Sequence, residues 1–219
     1  MKTRKTNQTY SPKESGKKKM FQSRFIELFT HTHPYVAIGM FIIIGIVLSS
    51  YAFINHLIDF YSLLILFPIG IFTFTFVEYM VHRFVFHMEI TNKIKEKIQY
   101  GAHGVHHEYP NDEGRLVMPP LLSLPLSTLL FFIAYLIAGN FAFAFMAGFF
   151  TGYGLYLFVH YIVHAWKMPK NNFKTLWLYH NIHHYQNEEV AFGVTSHFWD
   201  RVFGTMPDFQ VGKTKKQTQ

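Results

Sequence analysis

The chain has 219 residues, half of them apolar and only 15% charged, with 25 Phe, 13 Tyr, 14 His and no Cys. A disordered chain is excluded by so much apolar and aromatic surface. The missing Cys excludes disulfide scaffolds, thiolate zinc sites, Fe–S clusters and a Cys nucleophile.

Residues 1–30 form a basic, polar tail. It is expected to be largely disordered and retained, because the apolar run behind it begins only at Tyr35 and is too long for the core of a cleaved signal. A membrane helix needs about 20 apolar residues. Two such segments follow, near Tyr35–Asn55 and Phe60–Met80, with a break at His56–Asp59. The second ends in His82-Arg-Phe-Val-Phe-His87, an HxxxxH pair. Ile90, Ile94 and Ile98, with Lys93, Lys95 and Lys97 between them, predict an amphipathic helix on the membrane surface. His103-Gly-Val-His106-His107 is an HxxHH triplet. Two further spans lie near Leu121–Ala138 and Phe141–Ile162, broken at Gly139–Asn140. The last ends in His160-Tyr-Ile-Val-His164, an HxxxH pair, and His180-Asn-Ile-His183-His184 repeats the triplet. Residues 208–219 are a polar tail. The reading is an all-α integral membrane fold over residues 31–207: four transmembrane helices as two hairpins, with a cytoplasmic helical cap carrying a histidine-rich dimetal site.

The formal charge of +7 would suit nucleic acid, but all 20 basic residues fall in three blocks, at 2–24, 83–115 and 167–216. The 51 residues between Arg115 and Lys167 contain no charged residue at all. The positive-inside rule puts the three blocks, and so both termini and the metal site, in the cytoplasm. Trp166, Tyr100 and Tyr179 suit an interfacial aromatic belt. The basic tail then serves orientation and anionic lipid, not nucleic acid.

Ten of the fourteen His belong to the four groups. His31, His33 and His197 read as interfacial or surface residues, and His56 lies on the far hairpin tip. A helix turns ~100° per residue, so His160 and His164 project ~40° apart. His82 and His87 are ~140° apart, and both serve one site only from a fraying helix end or by straddling it. Ten charged imidazoles at one boundary would repel, and ten neutral unbonded ones would be costly to bury. A metal resolves both problems, and ten nitrogens match two first-row ions. Glu78 lies on the face of His82. A carboxylate inside a span is expensive and normally functional, so Glu78 is expected to accept a hydrogen bond from an imidazole. Asp200 is expected to do similar work from the C-terminal segment. No catalytic residue beyond the metal ligands is expected. Arg83 and Arg115 flank the site and are expected to snorkel.

Neutral imidazole suits Fe, Zn, Cu and Ni. The H-E-x-x-H of hydrolytic zinc enzymes is absent, as are the Glu-x-x-His pairs of soluble di-iron bundles. An unactivated C–H bond needs an oxidising metal and O2, and an all-His pocket suits that. A metal transporter, the alternative outside enzymes, would carry ligands and acids along a path through the bilayer.

The chain resembles the integral-membrane fatty acid hydroxylase superfamily, which includes sterol desaturases. The residues that carry the resemblance run from Glu78 through His82 and His87, then from His103 to His107 with Gly114-Arg-Leu-Val-Met-Pro-Pro120. They continue with Gly152-Tyr-Gly through His160 and His164, and close with His180 to His184, Phe192-Gly-Val-Thr and Trp199-Asp-Arg-Val-Phe-Gly204-Thr. The stretch up to the double proline is most similar to the fatty acid (ceramide-type) 2-hydroxylases. Those enzymes commonly have Asp where this chain has Leu157, and eukaryotic ones often carry a fused cytochrome b5, whose His-Pro-Gly-Gly motif does not occur here. The resemblance implies two irons (zinc being possible in purified material), O2 as co-substrate and 2-hydroxylation of a fatty acyl or sphingolipid chain. Sterol desaturases or methyl oxidases and carotenoid hydroxylases of the same superfamily are the alternatives. Electrons are expected from a separate cytochrome b5-like protein, ferredoxin or reductase. The Lys/Asn/Phe/Ile-rich usage suggests a bacterial cytoplasmic membrane, or the endoplasmic reticulum if the source is eukaryotic.

Overall fold

The computed structural model describes residues 9–13, 16, 27 and 30–207. Most of the tail expected over 1–30, and all of that expected over 208–219, lie outside them. The first hairpin is α1 (Pro34–Ile54) and α2 (Phe60–Val81), and α2 runs on into a π-helical turn, His82–Phe86. The cap starts with α3 (Lys93–Gln99), a second π-helical turn (Tyr100–Gly104) and α4 (Val105–Glu108). The second hairpin is α5 (Pro120–Ala138) and α6 (Phe141–Ala165), and α7 (Lys174–Tyr185) and α8 (Phe198–Phe203) complete the cap. The described residues thus include four helices long and apolar enough to cross a membrane, within a residue or so of the expected limits at most ends.

Local chemistry sets the ends. Asp59 caps α2 by accepting from the Ser62 amide (2.9 Å) and hydroxyl (2.7 Å), which satisfies one of the orphan donors of a helix start. Gly139 turns the second hairpin at φ 56°, a left-handed conformation that a Cβ disfavours.

α6 is the hub. Half of its most apolar stretch is buried, against 11–22% for the other spans. Its small residues explain this. A Cβ on Gly148 would collide with the Phe67 carbonyl, and one on Gly70 of α2 would collide with the Phe145 carbonyl. On the opposite flank Gly45 of α1 lies against Thr151 and the Ala147 carbonyl. In lipid no hydrophobic force drives helices together, and close backbone approach at small residues takes its place. α5 rests on α6 and buries only Ser123. Its Leu136 and Ile137 are more than 80% exposed, as suits a lipid-facing helix.

α3 presents Ile94 and Ile98 outward among its lysines, as an amphipathic surface helix should. Arg115 departs from expectation. It does not snorkel but is buried, paired with Glu27 (2.5 Å) and near Asp112 (3.6 Å). An enclosed guanidinium needs carboxylate partners, and Glu27 ties the start of the second hairpin to the residues before α1.

Candidate metal centre

The ten grouped histidines converge on the cap side of the spans, in two sets of five. His82, His87, His103, His107 and His183 form the first set. His106, His160, His164, His180 and His184 form the second. Within each set the candidate ligand atoms all lie within 4.8 Å of one another. The sets adjoin: the His107 and His184 rings stack with centroids 4.1 Å apart. His31, His33, His56 and His197 lie outside both sets.

The local backbone explains the sorting. In an HxxHH triplet on a helix, the first and fifth positions share a face and the fourth points away from them. His103 and His107 accordingly serve the first set and send His106 to the second. His180 and His184 serve the second set and send His183 to the first. Each cap triplet thus lends one ring to the other set. The spread between His82 and His87 is closed by the π-helical turn. The His87 amide donates to the His82 carbonyl (3.1 Å), five residues back, so the wider turn brings positions five apart over one another.

Three of the rings are held in the tautomer that a metal requires. Nδ1 of His82, His160 and His183 donates to the carbonyls of Phe192 (2.6 Å), Leu116 (3.1 Å) and Val190 (2.8 Å). With that proton committed, a neutral ring presents a bare lone pair at Nε2. These lone pairs point inward: Nε2 to Nε2 is 3.1 Å for His82–His103, 3.0 Å for His106–His160 and 3.0 Å for His87–His183. His103 Nε2 also faces His107 Nε2 at 3.0 Å, so one shared proton cannot satisfy it. Ligands about 2.1 Å from a metal and at right angles stand about 3 Å apart, and the inner nitrogens have that spacing. Burial, then neighbouring imidazoles, holds His103, His106, His107, His180, His183 and His184 far below the usual imidazole value, and lowers His87 to about 2. These seven rings are therefore neutral at pH 7, as ligands must be. The donor set fits two cations.

Glu78 and Asp200 act differently from expectation. Glu78 does not accept from an imidazole. It accepts from the amides of Val194 (2.7 Å) and Thr195 (3.0 Å) and from the Thr195 hydroxyl. Asp200 accepts from the amides of Phe192 and Gly193 (2.9 Å each) and from the Thr205 hydroxyl (2.7 Å). The oxygens of both carboxylates are taken up by donors of the loop 192–195 and by Thr205. Two buried acids therefore clamp the loop whose Phe192 carbonyl orients His82. Sequence reasoning missed Glu188, a buried acid with Oε2 3.9 Å from His107 Nδ1. An acid four residues beyond His184 was the available signal.

An apolar cavity of about 760 Å³ opens from the rings into the spans, between α5 and the wall made by α2 and α6. Its imidazole end is lined by His82 and His103 of the first set and His106 and His160 of the second. Phe74, Leu130 and Phe149 line its other end. The residues from Phe149 to His160 on α6 span about 16 Å at the helical rise. Leu157 is packed into this wall and fully buried.

A model of the fatty acid hydroxylase family matches residues 67–205. Ceramide very long chain fatty acid hydroxylase scs7 of Schizosaccharomyces pombe is 38% identical over 197 residues, covering 87% of this chain and 55% of that protein. Dihydroceramide fatty acyl 2-hydroxylase FAH2 of Arabidopsis thaliana is 36% identical over 150 residues, covering 67% of this chain and 62% of that protein. The chain thus spans between half and two thirds of these relatives. A solved structure of full-length scs7p, in which only the hydroxylase domain is visible, superposes with a TM-score of 0.78 at 34% identity. It covers 84% of this chain and 70% of that one.

Proposed function

The chain belongs to the fatty acid hydroxylase family, and we propose that it is an O2-dependent di-iron monooxygenase that hydroxylates a lipid acyl chain at the carbon next to its carbonyl. The observation that carries this reading is the apolar cavity that runs from imidazoles of both sets into the spans. An acyl chain lying along it has its tail among Phe74, Leu130 and Phe149, and the carbons nearest the polar head meet the rings. A mid-chain target would need apolar room on both sides of the rings. Two iron ions held by the two sets of five would supply the O2-dependent oxidation that an unactivated C–H bond requires.

The chain's own residues do the rest. Phe192, Leu116 and Val190 fix three rings in the ligating tautomer through their carbonyls, so the donors need no rearrangement when a cation arrives. The cavity wall excludes water and holds the alkyl chain in register with the rings, which converts much of the encounter into positioning. The electron donor is a separate protein: a cytochrome b5-like protein, a ferredoxin or a reductase. The cap and both termini face the cytoplasm, because the basic residues of the described chain occur around the cap and not at the hairpin tips. That membrane is a bacterial cytoplasmic membrane or the endoplasmic reticulum.

The test is reconstitution with iron and a reductase system under ¹⁸O2. Label in the 2-hydroxyl group of a fatty acyl or sphingolipid product supports the reading. Unlabelled product, or turnover without O2, overturns it.

A further inference from the structure

The stretch Thr9–Lys13 lies across the cap. The Lys13 amide donates to the Glu108 carbonyl (2.8 Å), and its ammonium pairs with the Glu108 carboxylate and donates to the Tyr109 hydroxyl (2.9 Å). The Tyr10 hydroxyl donates to Gln99 (3.3 Å), and its ring lies over Gly104, where a Cβ would not fit. One end of the stretch is therefore tied to residues 99–109, which carry the first triplet. The other end is tied to Glu188, whose Oε1 accepts from both the amide and the hydroxyl of Thr9.

Glu188 is buried, and its remaining oxygen faces His107 Nδ1 at 3.9 Å. The orientation of a ligating imidazole is set by what its other nitrogen meets. For His82, His160 and His183 that partner is a main-chain carbonyl in a packed loop. For His107 the facing group is the Glu188 carboxylate, at 3.9 Å a charged neighbour and not a hydrogen-bond acceptor, held by Thr9 from a segment distant in sequence. Thr9 also lines, with Arg83, His87 and Phe192, the cleft of about 590 Å³ that reaches the first set from the cap.

We propose that Thr9–Lys13 is a latch and Glu188 the positioning residue it acts through, so that the N-terminal segment governs metal retention by the first set and not by the second. The proposal rests on reading the two sets as metal sites. It predicts unequal sites: breaking the latch loosens one ion and leaves the other.

The experiment uses the full chain loaded with Co(II), whose absorption reports ligand geometry, and follows metal release to excess EDTA. Wild type binds two equivalents. In Thr9→Val, Lys13→Ala and Glu188→Ala, one equivalent is expected to leave about 10- to 100-fold faster, the usual effect of losing a partner behind a ligand, with a change in about half of the Co(II) spectrum. Glu188→Gln, whose single carbonyl oxygen can accept from Thr9 but which turns an NH2 donor toward His107, is expected to release that equivalent as Glu188→Ala does. Release of both equivalents at the wild-type rate in all variants, or equal acceleration of both, overturns the proposal. If Glu188→Ala does not accumulate, the two N-terminal variants decide alone. A wild-type chain that never binds two equivalents overturns the dimetal reading instead.

Discussion

Glu78 is buried within a span, where a carboxylate is costly, and it is kept there by two amides and a hydroxyl of the loop 194–195. Its removal leaves those donors without an acceptor, at about 1–3 kcal/mol each, and frees the loop that carries the Phe192 carbonyl. Glu78→Ala is therefore expected to lower thermal stability and to cost metal from the first set before the second. Glu78→Gln, which keeps one acceptor oxygen for the two amides, should retain most of the metal. Metal analysis alongside thermal melting in detergent separates the two outcomes, and equal metal content in both variants would contradict the clamp. That the ten imidazoles and Glu78 stand out was legible in the sequence, because such residues are rare at a membrane boundary, and the structure gathers the imidazoles and buries the acid. The route from Glu78 to the rings was not legible, since it runs through main-chain amides and carbonyls that every residue possesses.

α6 holds α1 and α2 through backbone contact at Gly148, Gly70 and Gly45. Gly148→Leu must push α2 away at Phe67. Overpacking of this kind costs typically about 1–3 kcal/mol, and here it also shifts the base of the His82 turn. A lower melting temperature together with lost metal is expected, and an unchanged melting temperature would contradict the close crossing. On the cavity side, Leu126 of α5 lies midway along the wall. Leu126→Trp is expected to cut turnover of long acyl chains by at least about tenfold while sparing short ones, since pocket misfits of this size carry such factors. Product profiles over a chain-length series test it, and a uniform loss at all lengths would mean that the cavity does not hold the chain. The spans and hairpin tips were legible because runs of about 20 apolar residues have one solution in lipid. The π-helical turns were not, because no residue type marks them; the awkward angle between His82 and His87 was their only trace.

Four spans and a cap built from separate stretches place seven of the neutral imidazoles outside the membrane: His87, His103, His106, His107, His180, His183 and His184. In the metal-free folded chain their affinity for protons is depressed, chiefly by burial, whereas in the unfolded chain each takes a proton near pH 6.5. The unfolded state thus binds more protons below that pH. Stability is present above about pH 6.5 and is lost as the pH falls, by at most about 1.4 kcal/mol per ring per pH unit. Melting of the metal-free protein in detergent should show a steep acid limb, and a flat profile between pH 7 and 5 would contradict the neutral cluster. The account as a whole stands on the two sets of five, and the most direct measurement is anomalous scattering at the iron edge from crystals of the iron-loaded protein. Two peaks per chain are expected, one ringed by His82, His87, His103, His107 and His183 and the other by His106, His160, His164, His180 and His184. A single peak, or iron bound away from these rings, would contradict it.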